Sequence, residues 1–451
     1  KAHRIAVVEG GGKYTAAKLS HKEMDFTEGK TLTKQEILAA YGVNEVVLGD
    51  FTNIKCFHPD TEVFTEEGFK SVTEIKKGTK VATLNPETGK AEFRPATKIY
   101  MYDYDGVMYK QTGKHQKIAY CVTPEHKMFG QKIIGKTTKK KKGAYELVPI
   151  KDVPGGKCFA VPRNAKWDVG ETPTIYDIGK REFERKKYHN GSKNGLKDTT
   201  FPIVPWLKFL GWFISEGNYF DSGRYEIGIS QTKPEGRKQF KKDMRGFPYV
   251  ITEYDRMFKL SGKDLYTYLM DNVGHYCDEK RIPSDIKKLH PSLLKHLMGA
   301  LLAGDGTVLP GKGAYRLSTT SFQLAEDVFE IAIKLGYAPF LSGGKLGYYK
   351  DKEGNRKYCK PVWYVEMRLN PVDGRINNVE KIHYKGKVHC FEVPPHHVIL
   401  TRYDGKIMWI GQSYEGIKSA HKAFWEECLV PKVLYFENTL WSRFFSKIGQ
   451  R

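Results

Sequence analysis

The spacing of apolar residues divides the chain into stretches with different patterns of apolar and polar positions. From Cys56 to about Arg163, short β-rich runs such as TEVFT and KVATL alternate with turns of Gly, Pro and Asn. This alternation predicts a compact all-β unit. Residues 164–200 are polar and lack apolar periodicity, which indicates a linker or a basic excursion. Strand texture returns in VHCFEV and HHVILTR and ends near Ile410.

Between these β-rich stretches lie two apolar helical segments with the same layout. The segments WLKFLGWFISEG and SLLKHLMGALLAGDG each end in an acidic residue followed by Gly, and strand-like sequence follows each of them. Such an internal repeat of helix, acid, strand and helix predicts a pseudo-symmetric domain of mixed α/β structure. We place this domain at 201–370.

The two ends of the chain differ from both of these parts. The pattern of residues 1–55 predicts a short strand and a helix capped by Thr33, with Glu36 three residues later. Residues 413–451 have the pattern of one or two amphipathic helices. Because the chain starts at Lys1 rather than Met, we expect both ends to belong to a larger protein.

Together these patterns predict a multidomain fold. An all-β domain, formed by 56–163 and 371–412, surrounds the α/β insert and is itself flanked by short mixed α/β pieces. A chain of 451 residues is too long for one hydrophobic core, which agrees with several domains.

The charge balance points to a polyanionic partner. The chain has 74 Lys and Arg residues against 52 Asp and Glu residues, a formal net charge of +22. Nucleic acid is favoured over a membrane surface, and no apolar run is long enough to suggest a membrane span. A merely solubilising basic surface is the alternative, and it fits a smaller imbalance better.

The cysteines indicate a reducing compartment. They are odd in number, widely spaced and without a CxxC pair, so neither a zinc site nor a redox motif is predicted. The N-terminus also lacks the pattern of a signal peptide. A cytoplasmic location is therefore expected. The cysteines are Cys56, Cys121, Cys158, Cys277, Cys359, Cys390 and Cys428.

Residues able to make and break peptide bonds lie at the two boundaries of the segment 56–412, where the sequence pattern changes. The Cys56 thiol could attack the carbonyl of Lys55 and convert that peptide bond into a thioester. At the other boundary, the Ser413 hydroxyl could accept the acyl group. Gln412 carries an amide that could attack its own backbone carbonyl and release the chain.

The acids that end the two apolar helices form a second candidate site. Small residues, among them Gly211, Gly299 and Gly304, would let the helices pack closely and bring Glu216 beside Asp305. Two such carboxylates repel unless a divalent cation lies between them, and that arrangement suits hydrolysis of a phosphodiester. Mg²⁺ is the predicted ion. The polar strands that follow, such as EIGISQTK and RLSTTS, are suited to the major groove of DNA.

At its first boundary the chain resembles inteins, the self-excising protein-splicing domains of the Hint fold. The segment that begins CFHPDTEVFTEEG is similar to their N-terminal motif, which makes Cys56 the first nucleophile. CVTPEHKMFG is similar to the motif whose Thr and His contact the scissile amide. The resemblance implies that Thr123 orients this amide, and that His126 distorts the bond and protonates its leaving nitrogen. It also implies an all-β horseshoe with a pseudo-twofold axis.

At the second boundary the resemblance comes with departures. VHCFEVPPHHVIL is similar to the first C-terminal motif and places Cys390 where the family has Asp, and His397 at the family's His. IMWIGQS is similar to the last motif, but it has Gly411 and Gln412 where the family has His and Asn. The missing His leaves His397 or a water to transfer protons. Cys390 is open to three interpretations: a proton relay, a transient acyl carrier or a structural thiol.

The insert resembles LAGLIDADG homing endonucleases. FLGWFISEG and MGALLAGDG are similar to the paired signature helices of single-chain enzymes of this family. KRIP, which starts at Lys280, is similar to a further motif whose Lys assists catalysis. The resemblance implies site-specific cleavage of double-stranded DNA, with Glu216 and Asp305 as metal ligands and Lys280 as a charge stabiliser.

The flanks, joined, are similar to a stretch of tailed-phage portal proteins. The pattern is an EGG strand, a helix that leads to LGD, and a helix that begins SYE and contains an FW pair. The resemblance implies that the spliced product belongs to the oligomeric ring through which DNA enters a capsid, and so to a virion. An unidentified helical host domain is the alternative.

Two other functions compete with splicing combined with DNA cleavage. Gly411 and Gln412 could cripple splicing and leave an insertion that only binds or cleaves DNA. A secreted or signalling autoprocessing domain of the same β-fold is the third hypothesis. The absence of a signal peptide and the presence of the α/β insert argue against it.

Overall fold

The structure is a computed structural model in two compact units, residues 1–53 with 414–451, and residues 54–413. It describes 54–113, 115–134, 141–155, 158–179, 199–220, 224–310, 313–350, 353, 355–368, 373–412 and 430–440. Of the first unit it describes only helix α6, Val430–Leu440. The flank predictions over 1–53 and 413–429, and the position of Ser413, lie outside the described residues.

Short strands built from alternating apolar residues make up the first part of the larger unit. These strands are β1 Glu62–Thr65, β2 Gly68–Ser71, β3 Lys80–Leu84, β4 Lys90–Pro95, β5 Lys98–Gln111, β6 Tyr120–Val122, β7 Lys127–Ile134, β8 Lys141–Pro149, β9 Phe159–Val161, β10 Lys166–Trp167, β11 Ile175–Asp177 and β12 Thr200–Pro202. The same β-rich texture returns at the end of the unit, in β23 Gly374–Arg375, β24 Glu380–Glu392, β25 Val398–Tyr403 and β26 Lys406–Gly411.

Two successive sets of helices and strands form the middle of the unit. The first set is α1 Ile203–Glu216, β13 Gly217–Phe220, β14 Glu226–Ser230, α2 Pro234–Asp243, β15 Thr252–Glu253, β16 Met257–Ser261 and α3 Lys263–Asn272. The second is α4 Pro291–Asp305, β17 Gly306–Leu309, β18 Ala314–Thr319, α5 Phe322–Lys334, β19 Phe340–Gly343, β20 Tyr348–Lys350, β21 Arg356–Tyr358 and β22 Trp363–Arg368.

These two sets repeat one topology. The first forms a sheet of order β13-β14-β16-β15, and the second has the corresponding order β17-β18-β22-β19. In both sets the strand after the acid-ended helix is antiparallel to the next strand along the chain. The internal repeat predicted from sequence is therefore present in the fold, and it places the ends of α1 and α4 at equivalent positions.

The β-rich and repeated parts share sheet and core. Strand β26 pairs with β19 at Lys406 and Phe340, so the second repeat's sheet continues into an 11-stranded sheet that also contains β1, β3 and β25. Trp409 of β26 lies in one apolar cluster with helices α1, α4 and α5. The predicted combination of β-sheets with helices is confirmed as a multi-sheet, mostly β structure.

The predicted linker 164–200 differs from the structure over 164–179. There, β10 pairs in parallel with β4, and Trp167 and Ile178 are buried in the shared core. These two apolar side chains are too widely spaced to give a periodic signal, yet each contributes to packing. Residues 180–198 lie outside the described part of the chain. None of the described helices has the length and apolar character needed to cross a membrane.

Candidate active sites

Strand pairing holds Cys56 in the interior of the β-rich part. Phe57 donates its backbone N–H to His389 O at 2.8 Å and accepts from His389 N at 3.1 Å. On the other side, Phe57 forms a bridge with Val122 of β6. Because of these two pairings, Cys56 lies between β6 and the end of β24, which come from distant parts of the sequence. It has no solvent exposure.

Thr123 brackets the Lys55–Cys56 peptide bond. The amide N–H of Cys56 donates to Thr123 Oγ1 at 2.8 Å, and the same hydroxyl donates to Ile54 O at 2.6 Å. The Thr123 N–H in turn donates to Cys56 O at 3.1 Å. A hydroxyl bound in this way fixes the orientation of the amide.

His126 lies beside both boundaries of the segment 56–412. Its ring is fully buried next to the backbone of Lys55 at the first boundary and of Gly411 at the second. Burial lowers the pKa of His126 to about 3, although the Gly411 and Lys55 backbone groups oppose this. Neither ring nitrogen has a hydrogen bond of ordinary geometry to a described residue. The imidazole is therefore neutral at pH 7, with one ring nitrogen able to donate a hydrogen bond and the other able to accept one.

Gln412 is held by the segment that follows β24. Its Nε2 donates to Val393 O at 2.7 Å, and its Oε1 accepts from Val393 N at 2.9 Å. The same Nε2 lies 3.3 Å from His397 Nδ1, and Gln412 N donates to His397 O at 2.9 Å. His397 adopts a φ of 54°, a left-handed conformation that is uncommon for residues other than Gly. The two predicted residues His397 and Gln412 are thus brought into direct contact.

Gly411 is explained by lack of space. A Cβ atom at this position would lie 2.5 Å from Leu147 Cδ2 and 2.6 Å from Lys127 O. Backbone and side chain from β7 and β8 therefore occupy the place where a larger side chain at 411 would begin. Gly411 is consequently a packing constraint of this chain, and a His substituted there would displace β7.

Cys390 lies directly against Cys56. Because Phe57 and His389 exchange both backbone hydrogen bonds, the antiparallel register places Cys56 opposite Cys390 in a non-hydrogen-bonded pair. Burial raises the pKa of the Cys56 thiol well above its usual range, and the hydrogen-bonded Cys390 thiol raises it further. Both thiols are free and buried.

Oxidation of this thiol pair is a testable consequence. Opposed residues of such a pair have Cα atoms about 4.5 Å apart, within the roughly 4.4–6.8 Å that disulfides span. We expect oxidised glutathione to join Cys56 to Cys390 by thiol exchange, releasing two molecules of glutathione and lowering the intact protein mass by two hydrogens. The reaction expected at the Lys55–Cys56 bond should stop when this disulfide forms and should resume when dithiothreitol reduces it.

A matched pair of variants checks that assignment. Cys390→Ser should prevent the disulfide, whereas Cys121→Ser, which removes another buried thiol, should leave it unchanged. Because a thiolate is the attacking species and the pKa of Cys56 is raised, oxidation should be faster at pH 9 than at pH 7. An unmodified Cys56 after prolonged oxidation would contradict the predicted pairing.

Glu216 and Asp305 end the two equivalent helices and lie close together. A Cβ atom on Gly304 would lie 3.2 Å from Glu216 Cγ and 2.2 Å from Ser215 Oγ, so only Gly allows this approach. Gly211 is equally tight, with Leu297 O 2.6 Å from its Cβ position. Gly299, also predicted at the contact, has open space around it and is not part of it.

Burial disfavours ionisation of both carboxylates, and the charges of Lys233 and Lys280 only partly oppose this. Burial, together with the charge of Glu216, raises the pKa of Asp305 to about 6. Burial also raises the pKa of Glu216, against the opposing charge of Lys233. Carboxylates that share a buried site in this way favour either a bound proton or a bound cation.

Lys280 lies at the C-terminal end of α1. Its Nζ donates to Phe213 O and Gly217 O, both at 3.3 Å, and lies 4.0 Å from the centre of the Phe213 ring. Burial lowers the pKa of Lys280 to about 8, while the charges of Cys277 and Asp305 oppose the shift. Lys280 therefore both caps the helix carbonyls and places a cation near Asp305.

A cavity of about 550 Å³ opens beside these groups. Asp305 and Lys280 line it, together with Ser318 and Thr319 of β18. Mg²⁺ needs only one or two protein carboxylates when water and substrate phosphates complete its shell, so Glu216 and Asp305 fit this ion. Within the described ranges, no cluster of three or more His, Cys, Asp or Glu residues is placed to bind a metal.

The response to Mg²⁺ should depend on pH. The pKa of Asp305 is 3.8 before folding and about 6 in the fold. Stability without metal therefore falls as pH rises from about 4 to 6 and stays lower above that range. We expect Mg²⁺ to raise the melting temperature at pH 8 and to have little effect at pH 5. Asp305→Asn should remove this Mg²⁺ response and melt higher than wild type at pH 8 without metal. An equal Mg²⁺ shift at both pH values would contradict the assignment.

Comparison with known proteins gives no family assignment but several partial similarities. No family model matches the chain. It is 23% identical over 295 residues to the ATP-dependent Clp protease proteolytic subunit of Chlamydomonas moewusii, a match that covers 62% of this chain and 28% of that protein. It is 23% identical over 421 residues to the C-terminal section of DNA-directed RNA polymerase subunit beta of Stigeoclonium helveticum, with 80% and 36% covered.

A third relative is the ribonucleoside-diphosphate reductase subunit beta of Aquifex aeolicus. It is 25% identical over 379 residues, which is 80% of this chain and 50% of the relative. The chain thus spans between about a quarter and half of the length of these curated relatives.

Solved structures similar to the chain include an intein and a homing endonuclease. The AceL NrdHF class 3 split intein is 18% identical and covers 24% of this chain and 63% of its own, with a TM-score of 0.20. I-DmoI in complex with DNA and Mn is 17% identical and covers 37% of this chain and 90% of its own, with a TM-score of 0.24.

Several groups around the sites were not predicted from sequence. Val393 fixes Gln412 through backbone atoms alone, and a backbone contact leaves no signal in residue type. Phe213 and Tyr219 surround Lys280 with aromatic rings, but in sequence they belong to ordinary apolar stretches. No second-repeat counterpart of Lys280 is assigned.

Proposed function

We propose that residues 56–412 excise themselves by protein splicing and join the two flanks, and that the α/β insert cleaves DNA. One observation carries the splicing proposal: His126 lies beside the backbone of Lys55 and of Gly411, which bound the segment at its two ends. Cys56 and Gln412 are anchored by neighbouring residues of one chain segment, His389 to Val393.

The first step is an acyl shift at Cys56. Its sulfur attacks the Lys55 carbonyl carbon, the C–S bond forms, and the C–N bond to Cys56 breaks. One nitrogen of the neutral His126 imidazole takes the thiol proton while the other gives its proton to the departing amine, because the low pKa of His126 disfavours a free imidazolium; the step therefore needs no outside acid. Thr123 orients the amide through its contacts with Cys56 N and Ile54 O. The raised pKa of Cys56 makes this proton transfer necessary.

Transfer and release complete the reaction. The Ser413 hydroxyl attacks the thioester, the Cys56 thiol leaves with its proton, and an ester joins the flanks. Gln412 Nε2 then attacks its own backbone carbonyl, closes a six-membered imide and releases the Ser413 amine. His397 Nδ1, 3.3 Å from that nitrogen, is the proton acceptor for this cyclisation. The freed amine finally attacks the ester and leaves an ordinary peptide bond between Lys55 and Ser413.

The range of relatives supports an inserted element. The matched part is 80% of this chain for an RNA polymerase subunit and for a ribonucleotide reductase subunit, and 62% for a Clp protease subunit. These names describe unrelated activities, so a shared segment is explained by an element that occurs within different host proteins. The host in this chain, and its resemblance to phage portal proteins, stays a prediction.

In the insert, Glu216 and Asp305 are the proposed Mg²⁺ ligands and Lys280 the proposed charge stabiliser. A divalent ion there would activate water and stabilise the leaving oxygen of a phosphodiester. The scissile phosphate would lie in the cavity beside Asp305, where Lys280 supplies positive charge. Double-stranded DNA is the proposed substrate, in keeping with the net charge of +22.

Hydroxylamine tests the splicing proposal at its first step. Hydroxylamine cleaves thioesters and leaves amides intact, so it should release residues 1–55 as a hydroxamate from folded precursor. Thr123→Val, similar in shape but without the hydroxyl, should slow this release because it loses the contacts to Cys56 N and Ile54 O. Equal release from a Cys56→Ala variant, or none from the wild type, would refute the acyl shift and favour an insertion that only acts on DNA.

A further inference from the structure

A buried arginine lies where the β-rich part meets the second repeat. Arg163 follows β9, is only 5% exposed, and its Nε has no hydrogen-bond partner among the described residues. Burial lowers the pKa of Arg163 to about 10 and the charge of Arg368 lowers it further, while the charge of Asp373 opposes this. A buried guanidinium N–H without a hydrogen-bond acceptor is costly, so the position favours a negatively charged ligand.

Other cations converge on the same place. Arg163 lines a cavity of about 540 Å³ together with Lys117 and Arg368. Burial lowers the pKa of Lys117, and the charges of Arg368, Arg163 and Arg375 lower it further, so these groups face one another. Glu366 also lines the cavity and pairs with Arg316, and the nearby Asp373 forms an ion pair with Lys142. The cavity therefore has an excess of positive charge.

Strand register connects this cavity to one face of the second repeat's sheet. In β22, Val365 and Met367 are buried in the core shared with the helices, so Glu366 and Arg368 point to the opposite face. Glu366 is opposite Arg316 of β18, which places Arg316 on that same polar face. The cavity thus lies at the border of the strand face that the sequence predicts to contact DNA.

We propose that the pocket formed by Arg163, Lys117 and Arg368 binds a phosphate group, and that in function this phosphate belongs to the backbone of the bound DNA. A planar guanidinium group can donate two parallel hydrogen bonds to two oxygens of one phosphate. This geometry favours arginine side chains in a phosphate-binding pocket. Since Arg163 and Lys117 come from the β-rich part, the splicing domain would itself contribute to DNA binding. The choice of DNA as the source rests on the proposed nuclease function.

The salt dependence of DNA binding tests this proposal. Binding of a labelled duplex of arbitrary sequence is measured without Mg²⁺ over a range of NaCl concentrations. Loss of one phosphate contact should make the slope of log affinity against log salt shallower by about one. We expect this change for Arg163→Gln and for the half-buried Arg368→Gln. Lys77→Gln removes an equal charge from an exposed site outside the pocket and should match the wild type.

A second measurement separates the possible sources of phosphate. Inorganic phosphate is compared with chloride at equal ionic strength for its effect on melting temperature. One outcome is that phosphate raises the melting temperature of the wild type but not that of Arg368→Gln, while the salt dependence of DNA binding is the same for both. This outcome supports a phosphate-binding pocket but rejects DNA as the source of the phosphate. The pocket is overturned if Arg368→Gln matches Lys77→Gln in both measurements. A wild type that does not bind DNA at all would instead count against the nuclease function.

Discussion

Replacing Cys56 with alanine is expected to abolish joining of the flanks and release of residues 1–55, while DNA cleavage by the insert persists. Removal of a catalytic nucleophile lowers turnover by up to about 10⁶-fold in covalent catalysts, so ligated product should fall below detection. The thiol is fully buried between β6 and β24, and the alanine methyl group fits the space it leaves. Mass spectrometry of the incubated precursor measures the effect.

Cys121→Ala is the matched control for this loss. Cys121 is also a buried, free thiol, lies in β6 and comes two residues before Thr123. Its thiol interacts with Tyr403, and none of its described contacts is with Cys56 or Gln412, so its removal tests the effect of a buried cavity alone. Splicing by Cys121→Ala at a rate close to wild type would assign the loss to the Cys56 nucleophile. Ligated product from Cys56→Ala would show that another residue starts the reaction.

Replacing Asp305 with alanine is expected to have the opposite effect. Loss of groups that merely support metal ligands costs about 10–100-fold in activity or metal affinity, so loss of a ligand should lower DNA cleavage by more than about 100-fold. Splicing should continue, because no described contact joins Asp305 to Cys56, His126 or Gln412. Cleavage of plasmid DNA and mass analysis of the same protein sample measure the two activities.

The shared core requires a control for this second variant. Trp409 of the β-rich part packs in one cluster with helix α4, so a variant that unfolds α4 could also disturb splicing. Asp305→Asn keeps the side-chain shape and should lose cleavage equally. Glu235→Ala removes an exposed acid from α2 and should leave cleavage intact. If Asp305→Asn stopped splicing in a folded protein, the proposed division of labour would be wrong.

The long apolar helices and their internal repeat could be predicted from the sequence. The helices that end at Glu216 and Asp305 carry continuous apolar residues over several turns, and their repeat predicts equivalent positions that the fold indeed has. Short β-rich runs likewise predict strands, since alternation is a local property. The candidate splicing residues were predicted from the residue types at the boundaries where the sequence pattern changes.

Contacts made by register and by backbone were beyond the sequence. Nothing in residue order indicates that Cys56 is opposite Cys390, because that pairing depends on how Phe57 and His389 meet. The anchoring of Gln412 by Val393 uses backbone groups that every residue has. The need for Gly at 411 follows from the approach of β7 and β8, which only the folded chain reveals.

Joining of the flanks is the most direct test of the central claim. Purified, reduced precursor is incubated, digested and searched by tandem mass spectrometry for a peptide in which Lys55 is bonded to Ser413. Splicing predicts this peptide together with a free segment 56–412 that ends in a cyclised Gln412. A folded precursor that stays intact at every temperature and pH under reducing conditions, with no such peptide, would contradict it.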